Sequence, residues 1–211
     1  MTTKVITHLS GFMIVALGIV GIITVRLGAA PLDAYNYFVY VLMPEGISLG
    51  MVNIMTGLIV TGIVWMIERK KSLIISLLFL LSIGVFIDMW KALVDLVDPA
   101  VFEPLPVRLV VAASSLLLIG IGASLTLVSG LPPSPFEVLM LIINRRVKSM
   151  MTSKIMIEGT FFILALILGI VSGRLSEQVN LFTLVLVFAI GPMIQMFVTL
   201  FSPKENRSVA I

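Results

Sequence analysis

The chain has 211 residues, 59% hydrophobic and 12% charged, with a net charge of +3, no cysteine and a mean hydropathy of +1.18. Apolar runs of about 20 residues recur along its whole length, which excludes a water-soluble domain and is the pattern of membrane-spanning helices. Without cysteine there is no disulfide framework, thiolate metal ligand or thiol nucleophile, and a single histidine, His8, leaves an imidazole metal site without a second ligand.

Continuous apolar runs lack the alternation of a barrel strand, so the spans are helices. Six are expected, at about 9–27, 47–68, 72–92, 107–129, 154–173 and 179–201. His8, just before the first span, is expected at the membrane interface. Between the first and second spans of each half lies a shorter apolar segment, PLDAYNYFVYVLM (31–43) and PFEVLMLIINRRV (135–147). Neither is long enough to cross, and each predicts a re-entrant or interfacial helix. Lys4 and the GAA that ends the first span look like a secretory signal, but this span has a counterpart inside the chain.

With the N-terminus inside, Lys4, Arg69, Lys70, Lys71, Arg145, Arg146, Lys148, Lys154, Lys204 and Arg207 fall on the cytoplasmic side, and Arg26, Lys91, Arg108 and Arg174 outside. This bias predicts six spans with both termini cytoplasmic.

The two halves repeat. A shift of 104 residues carries Gly18 onto Gly122, Pro31 onto Pro135, Leu32 onto Phe136 and Asp33 onto Glu137; slightly different shifts carry Gly57 onto Gly159 and IGVFIDMW (83–90) onto IGPMIQMF (190–197), pairing Gly84 with Gly191 and Asp88 with Gln195. An ordered series of this kind is an internal repeat. Three spans per half is an odd number, so the second half enters from the opposite face and the repeats, 9–98 and 106–201, are inverted. The expected fold is an all-α polytopic membrane protein, one transmembrane domain over 1–211, of six transmembrane helices in two inverted three-helix repeats. Secondary transporters share that plan, with sites where the repeats meet; channels use it too.

Ser134, Pro135 and Glu137 have the spacing of a capping box, which Pro31 and Asp33 repeat; the alternative is that both acids contact a ligand or proton. The starts of the two short helices carry unsatisfied N–H groups and partial positive charge. Asp88 lies near the outer end of its span, with Lys91 and Asp95 following, and reads either as part of an interfacial ion-pair ladder or as a coupling carboxylate at the repeat interface. Glu158 has Lys154 four residues before it as a candidate partner. Asn53, Thr56 and Thr61 read first as interhelical hydrogen bonds, and Tyr35, Tyr37, Phe38 and Tyr40 as an interfacial aromatic belt.

No GxSxG, HExxH, phosphate-binding loop or dinucleotide motif occurs, so an enzyme is not expected and no catalytic residue, metal or cofactor is assigned. Nor is there a basic patch interleaved with aromatics for nucleic acid.

Several stretches carry a family resemblance: RLGAAPLDA (26–34), GISLGMVNIMTG (46–57), IGVFIDMW, GLPPSPFEVLMLIINRR (130–146) and IGPMIQMF. Over about residues 11–200 the chain resembles the YczE/YyaS/YitT group of small bacterial integral membrane proteins, especially its YczE-like branch. Members look like G-L-G-x-x-P-x-D in the repeats and carry a glycine-rich link before the last span; here that link reads SGRLSEQVNLFT (172–183), keeping Gly173 and Thr183. The resemblance implies a multi-pass protein of the bacterial cytoplasmic (inner) membrane and names no activity.

The leading expectation is a small-solute transporter or permease working by alternating access, its site between the short helices and the third and sixth spans. Arg26, Asp33, Asp88, Glu137 and Gln195 are the candidate substrate-binding residues, with Asp88 the candidate coupling carboxylate. The alternatives are a non-transporting membrane subunit that regulates or scaffolds a partner, and a channel. Lipid and a small organic solute are the expected partners, and the composition is compatible with a homo-oligomer.

Overall fold

Lipid offers no partner to backbone N–H and C=O groups, and the apolar runs close their own hydrogen bonds as helices. The computed structural model describes residues 2–69, 72–132 and 134–201. In chain order it runs α1 (Thr2–Val25), α2 (Pro31–Leu42), α3 (Leu49–Glu68), α4 (Ser72–Val94), a 3-10 turn (Pro99–Phe102), α5 (Leu105–Val128), α6 (Pro135–Val147), α7 (Met150–Val171), α8 (Leu175–Gln178) and α9 (Leu181–Phe201). Six of these, α1, α3, α4, α5, α7 and α9, are long and apolar enough to cross a membrane, and they overlap the six expected spans, with α1 beginning at Thr2 rather than near residue 9. Lys70, Lys71, Lys204 and Arg207 of the charge count, and Pro133 before α6, lie outside the described residues.

Helices α1 and α5 form the centre, each with 24 residues, or about 36 Å of length against a hydrocarbon core of about 30 Å. Apolar side chains gain little from leaving lipid for one another, so close packing needs small residues at the contact. Gly11 and Gly122 supply them: a Cβ at Gly11 would sit 2.7 Å from the Gly122 carbonyl oxygen, and one at Gly122 would sit 2.5 Å from that of Gly11. A second crossing brings Gly18 against Ser115, where an added Cβ would lie 2.7 Å from the Ser115 carbonyl oxygen. Both helices end in a left-handed residue, Arg26 (φ 52°) and Gly130 (φ 67°). Each end faces a cation from the other helix. Arg108 donates to the carbonyls of Val25 (2.8 Å) and Arg26 (2.9 Å), which answers the unpaired C-terminal carbonyls of α1. The Lys4 ammonium lies 3.9 Å from where a Gly130 Cβ would be.

Around this pair, α4 packs on α1 and α9 on α5; α2 packs on α7 and α3, and α6 on α3 and α7. Helices α3 and α4 are also in close contact: Gly57 faces Leu80, and Gly84 faces Ile54 and the Gly50 carbonyl with no space for a Cβ. Helices α7 and α9 are not in such contact. Nothing lies within 4 Å of a Cβ placed on Gly159, and the nearest group to one on Gly191 is the Lys154 ammonium at 3.6 Å.

The short helices α2 and α6, of 12 and 13 residues, begin at Pro31 and Pro135, both fully buried. Their N-terminal ends therefore lie in the bundle interior. The aromatics of α2 do not form a belt: Phe38 is 0% exposed, Tyr37 is buried, and Tyr35 packs on Phe161 at 5.4 Å between ring centres. The reason is that α2 packs against α7 and α3. Phe161 also meets Phe136 at 6.0 Å, so one α7 ring bridges the first turns of α2 and α6.

Candidate functional site

Two cavities open between these elements. The larger, about 690 Å³, lies at the Arg26 end of α1 and is walled by Arg26, Lys91, Arg108, Arg174, Asp95 and Glu103, among others. Much of its charge is already matched: Lys91 pairs with Asp95 (2.7 Å), Arg26 with Glu177 (3.7 Å), and Arg108 with the end of α1. Tyr37 donates to the same Glu177.

The smaller cavity, about 260 Å³, lies where α2 and α6 begin, closed by α1, α3, α4 and α5. Its wall is mostly apolar, including Phe12, Ile19, Leu80 and Phe136, and its polar groups are His8, Asp33, Asn53, Ser76, Thr126, Ser134 and Glu137. Among the described residues, no lysine or arginine lines it.

Asp33 and Glu137 occupy the same helical position but differ in local bonding. Ser134 makes a full capping box: its hydroxyl accepts from the Glu137 N–H (3.3 Å) and its own N–H donates to Glu137 Oε2 (2.8 Å). At α2 the N-cap is Ala30, which has no hydroxyl and receives no side-chain bond. The expected capping role thus fails for Asp33. Its carboxyl makes no hydrogen bond or ion pair among the described residues and borders the cavity. Burial, with Glu158 adding to it, pushes the Asp33 carboxyl up to about 7. Burial also raises Glu137, against the opposing effect of its bonds with Ser134.

His8 is the feature sequence reasoning missed. Expected at an interface, it is 3% exposed because α1 begins at Thr2 and carries it into the bundle. The signal was present: His8, Phe12, Val15 and Ile19 share one helical face, and all four line the cavity. The Ser129 hydroxyl donates to the Thr126 carbonyl (2.6 Å), so its oxygen accepts from His8 Nδ1 at 2.8 Å. This assignment puts the proton on Nδ1 and leaves Nε2, which is buried and has no partner.

The five candidate residues separate. Asp33 and Glu137 meet at the smaller cavity and Arg26 borders the larger one. Asp88 borders neither. It accepts from the Ser48 hydroxyl (2.5 Å) and the Gly50 N–H (2.7 Å), binding α4 to the start of α3, while Lys91 and Asp95 form the expected pair without it. Gln195 is exposed on α9, because α7 does not cover that face. The expected Lys154–Glu158 ion pair is not formed among the described residues, and Glu158 Oε2 is buried without a partner. Thr56 donates to Asn36 Oδ1 (2.7 Å), an interhelical bond as expected, whereas Thr61 bonds back to the Gly57 carbonyl of its own helix (2.7 Å). Asn53 borders the cavity. The third span, α4, contributes to the cavity wall; the sixth, α9, does not.

A family model described as "Family of unknown function (DUF6198)" matches residues 2–199. Among curated proteins, the chain is similar to the uncharacterized protein YyaS of Bacillus subtilis (strain 168), 27% identical over 158 residues that make up 74% of this chain and 77% of that protein. It is also similar to the uncharacterized membrane protein YczE of the same organism, 28% identical over 140 residues, 66% of this chain and 62% of YczE. The resemblance read from the glycine, proline and acid motifs is thereby borne out. No solved structure matches.

Proposed function

We propose that this chain, which belongs to the family of unknown function DUF6198, is a small-solute transporter of the bacterial inner membrane, built from two inverted repeats that alternate access to the smaller cavity. It is a carrier, not an enzyme. The observation that carries the reading is the symmetry of the contacts between α1 and α5. A shift of 104 residues carries Gly11 onto Ser115 and Gly18 onto Gly122, so the Gly11–Gly122 crossing and the Gly18–Ser115 crossing are one contact seen twice. The same shift relates Arg26 to Gly130 and Arg108 to Lys4, the left-handed ends and the cations beside them. Exchange of the halves also turns α4 on α1 into α9 on α5, and α2 on α7 into α6 on α3. Two segments that exchange places across a shared contact are related by a two-fold axis, and helices running in opposite directions place that axis in the membrane plane.

The exchange fails at one interface. Helices α3 and α4 are closed around Gly57 and Gly84, whereas nothing lies within 4 Å of a Cβ on their counterpart Gly159, and only the end of the Lys154 side chain, at 3.6 Å, approaches one on Gly191. Two repeats of one design in unequal arrangements are what a rocking carrier contains at either end of its cycle. With both termini cytoplasmic, as the positive charges favour, the closed pair is tied near the outer surface by Asp88, and the open pair faces inward. The short helices then enter from opposite faces and end against each other, bringing Asp33 and Glu137 to the cavity. Arg26 stands at the mouth of the outer vestibule.

The test is flux in proteoliposomes, measured across a panel of small cationic, neutral and anionic metabolites. Uptake of at least one solute, changed in rate or affinity by Asp33→Asn, is the expected result. A reconstituted, folded protein that moves nothing in the panel would remove the transporter reading and favour a non-transporting subunit.

A further inference from the structure

The smaller cavity carries a chemical preference that the transporter reading leaves open. Three groups with lone pairs border it: the Asp33 carboxyl, with no partner among the described residues, the Glu137 carboxyl, and His8, whose Nε2 is buried and unpartnered. Asn53 adds an amide. A buried acceptor left unpaired costs free energy until a donor reaches it. Among the described residues no Lys or Arg borders the cavity, and its donors are neutral hydroxyls and the Asn53 amide, so a positive charge beside Asp33 must come from what enters.

The rest of the wall narrows the class. Phe12 and Phe136 add aromatic rings, the kind of group that attracts a cation, and Val15, Ile19, Leu32, Leu80, Ile83 and Leu127 add apolar surface. A volume of about 260 Å³ lies just below the usual range for small-molecule sites of about 300–1,000 Å³. The occupant is therefore small, with an apolar body and a cationic head. From the juxtaposition of the unpartnered Asp33 carboxyl, Glu137 and the buried His8 imidazole in the wall of this cavity, we infer that the protein binds small lipophilic amines or guanidines in their protonated form. This inference rests on the transporter reading only for the movement of such a ligand; the binding stands on the cavity.

The charged and titratable groups that face Asp33 are Glu137 of α6, His8 of α1 and Glu158 of α7, with Lys154 one turn from Glu158. Acidic groups predominate around the cavity. An arriving ammonium group replaces a proton there, so cation binding near neutral pH releases protons.

The experiment compares three ligands with one ring and three charges: benzylamine, benzyl alcohol and benzoate, titrated calorimetrically into purified protein in two buffers of different ionisation enthalpy. Benzylamine binding with proton release, weakened about tenfold or more by Asp33→Asn, with benzoate inert, is the expected result. Glu137→Gln keeps the capping box, since glutamine fills that position equally well, and is expected to weaken benzylamine while leaving thermal stability near wild type. Equal binding of all three ligands, or benzylamine affinity unchanged in both variants, overturns the inference. Vesicles that move a neutral or anionic solute while benzylamine does not bind would sink this inference alone; benzylamine binding without flux of any solute would sink the transporter reading alone.

Discussion

Asp88 offers a sharp test of how the closed interface is held. Its carboxylate takes the Ser48 hydroxyl at 2.5 Å and the Gly50 N–H at 2.7 Å, so a side chain of α4 answers an unpaired donor in the first turn of α3. Each hydrogen bond to a charged acceptor contributes about 1.5–3 kcal/mol, and the favourable dipole at the helix start about 0.3–1 kcal/mol. Asp88 is half-buried, so water recovers part of this, and Asp88→Ala is expected to cost about 2–4 kcal/mol. For a chain of this size that is about 5–15 °C in Tm. Asp88→Asn keeps a carbonyl oxygen for Gly50, and its amide can donate to Ser48, so it should lose about 1 kcal/mol or less. Thermal unfolding in detergent with a fluorescent reporter ranks the three, with wild type and Asn close together and Ala well below. Combining Asp88→Ala with Ser48→Ala should show a coupling of about 1 kcal/mol, because the two groups share one bond. Equal stability of all three proteins would refute the capping role. An Asp88→Asn variant that unfolds like wild type but loses all flux would add a coupling role to the capping one.

Gly122→Leu drives a side chain into the Gly11 carbonyl and is expected to cost several kcal/mol, about 3 or more, seen as loss of monodisperse protein on size exclusion. Gly62→Ala, with nothing within 4 Å, is the control and should purify normally. Because Asp33 is raised from 3.8 to about 7 on folding, the folded chain holds its proton more tightly than the unfolded one. The associated stability is complete below the unfolded value and is lost as pH rises through the folded value. Tm in detergent should therefore fall between about pH 4 and about pH 7, and the fall should be shallower in Asp33→Asn; an identical slope in the two proteins would contradict the burial of that carboxyl.

The spans were legible because a run that must satisfy its backbone in lipid leaves an unbroken apolar record. The short helices were legible from their length and from the Pro–x–acid step at each start. The contrast between Asp33 and Glu137 was only half legible: both occupy the third helical position, but a capping box also needs the hydroxyl that Ser134 has and Ala30 lacks. Asp88 was hidden for a different reason. Its partners, Ser48 and Gly50, lie about forty residues earlier, and only the packing of α3 on α4 sets them at the same depth. His8 escaped because a polar start, TTKVITH, reads as a flank, although α1 already begins at Thr2. The gap between α7 and α9 left one trace, Pro192 inside α9, where the matching position in α4 is Val85. A proline there removes a helix hydrogen bond and permits a bend.

The most direct measurement is disulfide trapping in native membranes, for which the absence of cysteine provides a clean background. Gly57 and Leu80 touch across the closed interface, and the repeat relates them to Gly159 and Val187. Two repeats that exchange arrangements predict that Gly57→Cys/Leu80→Cys and Gly159→Cys/Val187→Cys each form a cross-link under mild oxidation, the second through a state in which α7 has closed on α9. A Gly57/Leu80 pair that cross-links fully while Gly159/Val187 never does, even under prolonged oxidation, would mean that the open interface is permanent and that the repeats do not alternate.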